Sequence, residues 1–142
     1  MKTSARNQFK GSVIEVRIGA VNAEVHIGLK GGAAIVAAIT KESLEKLAIT
    51  AGQEVIALIK APQIILITDF EGYTISARNQ LPGTVTDVKH GPVNAEVDIE
   101  LAGGEKLIAT VTNDSLESLA LNTGHQVTAV FKASAVILAV PV

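Results

Sequence analysis

Val21-Asn22-Ala23-Glu24-Val25-His26-Ile27-Gly28-Leu29-Lys30-Gly31-Gly32 is the stretch that sets the fold. Val21, Ala23, Val25, Ile27 and Leu29 alternate with other residues, the period of a strand with one buried face. Gly31-Gly32 then supplies hairpin turn chemistry. Upstream, Gly11 to Arg17 alternates in part and reads as a strand that ends in a turn at Gly19. Downstream, Ala34 to Ile39 is a third, more uniformly apolar strand. The period then changes. Thr40 to Leu47 reads as a short helix, with Thr40 as its N-cap and Leu44 and Leu47 facing the core. Gly52 closes the next turn, and Val55 to Lys60 and Ile64 to Ile67 are two further strands. Three strands, a short helix and two strands is the element order of an OB-type five-stranded Greek-key barrel.

The pattern occurs twice. Ser4-Ala5-Arg6-Asn7-Gln8 recurs 72 residues later as Ser76-Ala77-Arg78-Asn79-Gln80. The same offset relates Val21-Asn22-Ala23-Glu24-Val25 to Val93-Asn94-Ala95-Glu96-Val97, Gly31-Gly32 to Gly103-Gly104, and Lys60-Ala61 to Lys132-Ala133. In the second copy Thr112 takes the cap position, with Leu116 and Leu119 as the apolar pair. The expected protein is mainly β: two tandem barrels, residues 1-70 and 71-142, each with one short helix. The join falls at Thr68 to Thr74, where Asp69, Glu71 and Gly72 interrupt the apolar pattern. A repeat this small has a thin core. Its apolar residues must also be buried by packing of the two repeats and by oligomerisation.

Composition narrows the function. The chain has 142 residues, 48% hydrophobic and 18% charged, with 12 Lys and Arg against 14 Asp and Glu. That is too apolar and too weakly charged for a disordered chain. No apolar run approaches the roughly 20 residues of a membrane helix. The first residues hold no secretory h-region, which makes the cytoplasm the expected compartment and a membrane partner unexpected. Without cysteine there is no disulfide and no thiolate metal site. A net charge of −2 and four aromatic residues, Phe9, Phe70, Tyr73 and Phe131, speak against nucleic-acid binding by basic groove and stacked bases.

Duplication also filters candidate site residues, because a function shared by both halves uses residues present in both. The histidines fail that test: His26 stands opposite Asp98, His90 opposite Ile18 and His125 opposite Gln53. The repeated acids, Glu24/Glu96 and Glu45/Glu117, read as solvated faces. No nucleophile-elbow, Walker or dinucleotide motif is present, so no catalytic residues are expected. The remaining repeated polar residues are Ser4, Arg6, Asn7, Thr40, Ser43 and Lys60, with Ser76, Arg78, Asn79, Thr112, Ser115 and Lys132. All are hydrogen-bond donors and none is a carboxylate. Thr40 and Ser43 lie at the start of a helix, where unpaired N–H groups attract anions. A usual capping box places Glu or Gln where Ser43 stands, so a competing charge is absent. Each group also has a plainer reading: Thr40 as a cap alone, Lys60 as a solvated strand end, Ser4 to Asn7 as a tail.

The motifs Ser-Ala-Arg-Asn-Gln, Gly-Ala-Val-Asn-Ala-Glu-Val, Ile-Thr-x-x-Ser and Lys-Ala-Pro, at these spacings, resemble the molbindin (Mop) family in its tandem form, over nearly the whole chain. The resemblance implies an OB-type barrel, a homo-oligomer (a trimer for tandem forms), and cytoplasmic binding of molybdate or tungstate at subunit interfaces, with no cofactor and no direct protein–metal ligand. Carried over residue by residue, the implied oxyanion site holds Ser4, Arg6, Ser76 and Arg78 from one chain with Thr40, Ser43, Lys60, Thr112, Ser115 and Lys132 from another. Family sites near a threefold axis add Asn22 and Asn94. The sequence departs from an even pattern at Pro62, which stands opposite Ser134, and at Pro92, opposite Ala20. Proline brings no donor, so paired sites are expected to be unequal, with Ser134 as an extra donor in one of them. Two other readings remain open: an anion-sensing interaction module for a partner protein, and a single-strand nucleic-acid module of the OB type.

Overall fold

The computed structural model describes all of residues 1–142. The first half holds β1 (Asn7–Ile18), β2 (Asn22–Leu29), β3 (Ala34–Thr40), α1 (Lys41–Lys46), β4 (Glu54–Ile59) and β5 (Ile65–Ile67). The second holds β6 (Asn79–His90), β7 (Asn94–Leu101), β8 (Lys106–Thr112), α2 (Asn113–Ser118), β9 (Gln126–Phe131) and β10 (Ile137–Ala139). The molecule is mainly β, with two five-stranded antiparallel sheets of OB type.

The alternation read from the sequence is the burial pattern of β2 except at Val21, which precedes the strand and is 73% exposed instead of sharing the buried face. Ala23, Val25, Ile27 and Leu29 are buried, while Asn22, Glu24, His26 and Gly28 face outward. β1 starts four residues earlier than the pattern suggests, at Asn7, so this end of the Ser-Ala-Arg-Asn segment is strand and not tail. A bulge between Val13 and Glu15 adds one residue to β1, and β6 repeats it between Val85 and Asp87. Such a bulge bends a long strand so that one element serves two neighbours. β1 indeed pairs with β2 along one part and β4 along the other. Short 3-10 turns at Ala61–Gln63 and Ala133–Ala135 were not legible in the pattern. Pro62 suits the first of them, since its fixed φ and missing N–H fit a first helical turn.

The fifth strand of each sheet comes from the other half. One sheet runs β10-β4-β1-β2-β3 and the other β5-β9-β6-β7-β8. Ile65, Leu66 and Ile67 pair with Val130, Ala129 and Thr128, and Ile137, Leu138 and Ala139 pair with Leu58, Ala57 and Ile56. The sequence boundary between residues 70 and 71 is therefore crossed by both sheets. Buried apolar side chains from both halves form one cluster of 30 residues, from Phe9 to Leu138.

Polar contacts lock the exchange. Asn7, 1% exposed, donates from Nδ2 to the carbonyls of Ile108 (2.8 Å) and Ile59 (3.2 Å), and its Oδ1 accepts from the Ile108 N–H at 2.8 Å. Asn79 makes the reciprocal pair with Val36, both bonds at 2.8 Å. At the hairpin tips Gly31 and Gly103 touch, and a Cβ on either would collide with the Cα of the other. Gly31 and Gly103 are needed for this approach, whereas Gly32 (φ 96°) and Gly104 (φ 90°) supply the left-handed turn itself.

Candidate functional site

Thr40 is the N-cap of α1, as its place in the sequence suggests. Its Oγ1 accepts from the Ser43 N–H at 3.0 Å and donates to Ser43 Oγ at 2.8 Å. Thr112 and Ser115 repeat this at 3.1 and 2.9 Å. Each serine hydroxyl thus receives a bond and keeps its own proton free to donate. Asn22 lies beside this pair, because it is the cross-strand partner of Thr40; Asn94 partners Thr112 in the same way.

The arginines come from the other half. Arg78 ion-pairs with Glu24 and Arg6 with Glu96. Glu24 sits two residues along β2 from Asn22, on the same outward face, and Glu96 holds that relation to Asn94. The lysines follow by register. Asn7 pairs with Ile59 and Asn79 with Phe131, so Arg6 and Lys60, and Arg78 and Lys132, stand at adjoining strand ends. Neither lysine ammonium has a hydrogen bond or ion pair within the chain. Ser134 lies in the 3-10 turn that packs on β3, and Pro62 in the turn that packs on β8.

Two crossed groups result. Arg78 reaches Glu24, two residues along β2 from Asn22, and the turn that follows Lys132 packs on β3, the strand that ends at Thr40. Arg6 reaches Glu96, two residues along β7 from Asn94, and the turn that follows Lys60 packs on β8, the strand that ends at Thr112. Sequence repeats alone assign no such crossing; the exchanged strands produce it. Ser4, Ser76, Thr40, Thr112 and both lysines are exposed, so one chain leaves each group open on a face. A cleft of 570 Å³ between β1, β2 and β4 is bordered by Lys10, Ser12, Lys30 and Glu54 and contains none of these residues.

One sequence reading needs correction. Glu24 and Glu96 are not merely solvated: each engages a guanidinium of the opposite half. Burial pushes the Glu24 carboxyl up, but Arg78 and then His26 outweigh it and hold the carboxyl below its ordinary range. Glu15 is also lowered, by its hydrogen bond to Arg17. Persistence of Glu24 and Glu96 in both halves was the available signal, and it was the same signal that singled out the arginines. Asn7 and Asn79 carried it too, and their task is structural.

A family model for the TOBE domain matches residues 3–66 and again residues 75–138. The molybdenum transport protein ModE of Herbaspirillum seropedicae is 44% identical over 140 residues, which are 99% of this chain and 52% of that protein. The molybdenum-pterin-binding protein MopA of Rhodobacter capsulatus is 42% identical over 141 residues, 99% of this chain and 53% of that one. The chain thus spans about half the length of these relatives. A crystal structure of the cytoplasmic molybdate-binding protein ModG, with molybdate bound, is similar with a TM-score of 0.97 and 50% identity, covering 99% of this chain and 100% of the other. Family matches in both sequence repeats, on a fold shared end to end with ModG, establish that the chain belongs to the TOBE domain family and carries two of its domains in tandem.

Proposed function

We propose that this protein binds molybdate or tungstate in the cytoplasm, holding the oxyanion without catalysis for intracellular molybdenum storage and homeostasis. The observation that carries the reading is the end-to-end similarity to molybdate-bound ModG, described as cytoplasmic. The chemistry of the two crossed groups supports it. Molybdate is a tetrahedral dianion with acceptor oxygens and no proton to give. A desolvated dianion is costly unless its lone pairs are met, and hydroxyl, amide, ammonium and guanidinium donors meet them. Ser43 and Ser115 keep a free proton, and Lys60 and Lys132 keep a free charge. Asn22, Asn94 and Ser134 are added donors in this reading.

Homo-oligomerisation, as the trimer that the molbindin resemblance implies, belongs to the same proposal. Val21 (73% exposed) and Val93 (69%) immediately precede Asn22 and Asn94. Apolar residues exposed in both halves at the rim of an open donor group favour coverage by another copy of the chain. Nucleic acid has no place in this reading, given the net charge of −2 and four aromatic residues. DNA binding is named for the regulator ModE of Escherichia coli, of which the match covers 52%.

Isothermal titration of anion-free protein with molybdate, tungstate and sulfate tests the proposal. Saturable binding of molybdate or tungstate, with weak sulfate, is expected. The Ser43→Ala variant should bind about 10- to 100-fold more weakly at the site Ser43 lines, the loss of one bond to a charged acceptor. Absence of heat and of competition with any oxyanion would overturn the reading; unchanged affinity in Ser43→Ala would remove Ser43 from it.

A further inference from the structure

The two crossed groups differ in charge, and the difference centres on one position. On the outward face of β2, His26 Nε2 stands 3.4 Å from Glu24 Oε1, while the other carboxylate oxygen of Glu24 receives Arg78. His26 Nε2 is buried and has no hydrogen-bond partner. Across β1 the partner of His26 is Glu15, which Arg17 bonds at 3.1 Å; across β3 it is Val36, and no residue of β3 titrates. Arg78 is the charged group arriving from the other half.

In the second half, Asp98 occupies the position of His26. Its partner across β6 is Asp87, and across β8 Ile108. Lys89 faces Glu96, and Arg6 arrives from the first half. Glu100 and Lys106, farther along, oppose and cancel each other. Around Glu24, two guanidiniums therefore meet two carboxylates, a neutral set that becomes positive when His26 gains a proton. Around Glu96, two cations meet three carboxylates, which leaves an excess negative charge at every neutral pH. The Asp87–Asp98 pair places like charges directly opposite.

We propose that His26 and Asp98 make the two oxyanion sites unequal: the site served by Arg78 binds first and strengthens as pH falls from 8 to 6, whereas the site served by Arg6 does not. This rests on the oxyanion reading above. An imidazole changes charge within this pH range, and a protonated His26 shares the carboxylate that Arg78 otherwise monopolises. The guanidinium is then freer to turn toward a dianion, and the local potential favours that dianion. At the second site Glu96 has no such competitor, and Asp98 repels the ligand.

Molybdate titration of the full-length protein at pH 8 and pH 6, at micromolar ligand, tests this. Two classes of site are expected, with the tighter one gaining roughly 5- to 20-fold on acidification, the size of effect one nearby charge has on a dianion. His26→Asp should abolish the gain. Asp98→His, a change at a partly exposed position, should give the weaker class its own pH response, and it keeps the test open where His26→Asp impairs folding. Binding that is the same at both pH values in the wild type, or an Asp98→His variant without a new response, would overturn the inference while leaving the oxyanion reading intact. Absence of molybdate binding at either pH would overturn both.

Discussion

At Asn7 and Asn79 a side-chain amide takes the place of a strand partner. Each offers a donor and an acceptor to a buried backbone position of the opposite half, Ile108 or Val36. Truncation leaves both backbone groups without a partner, at about 1–3 kcal/mol for each buried unsatisfied group. Asn79→Ala should therefore lose about 2–4 kcal/mol in a urea melt, with Leu at the same position no better, since bulk does not replace the bonds. Glu24 makes a second residue-scale claim. Its folded-state pKa lies below the ordinary 4.5, so its pairing stabilises the fold fully above that value. The contribution is lost as pH falls through the lowered folded-state value. Melting temperature followed from pH 6 to pH 3 should fall less steeply in Glu24→Gln than in the wild type; an identical acid limb would separate the pair from stability. Both residues stood out in the sequence only as repeats. The partner of Asn79 lies 43 positions away and that of Glu24 54, and no local pattern points so far.

Among elements, the six-residue helices are the most legible and the least self-sufficient. Thr40 caps α1, and Leu44 is buried and Leu47 half-buried, as their spacing implies. A helix this short does not hold by propensity alone, so docking of its apolar side on the sheet carries it. Its end is strained. Ala48 (φ 50°) and Ala120 (φ 50°) follow the helices in a left-handed conformation that glycine adopts freely. Ala48→Gly should raise stability by about 0.5–1 kcal/mol, the strain relieved less the entropy a glycine loses on folding. A denaturant midpoint that moves downward would show that Ala48 makes a contact worth more than its strain. The 3-10 turns show the opposite case. Only three residues long, each takes its conformation from the neighbouring sheet: one packs on β8, the other on β3.

Over the whole molecule, the decisive feature is the exchange of β5 and β10. A strand of three residues gains little by itself, and each completes a sheet built by the other half. Residues 1–70 expressed alone retain β4 and β5 but lack β9 and β10. Two copies can satisfy each other by the same exchange, β5 of one on β4 of the other, as β10 lies on β4 here. Sedimentation should show that fragment as a dimer, and a stable folded monomer would contradict the account. The strand and helix periods, the duplication, the capping residues and the set of shared donors are all legible along the chain. Those follow from local chemistry and from comparing the chain with itself. The tertiary structure adds which half completes which sheet, that Asn7 and Asn79 serve the fold, that each guanidinium already has a carboxylate, and that Arg6 and Arg78 find theirs in the opposite repeat. Two equivalent repeats offer equivalent pairing partners to β5 and β10. The choice between a strand's own sheet and its neighbour's rests on the packing of Gly31 against Gly103 and the shared core, where the two halves meet.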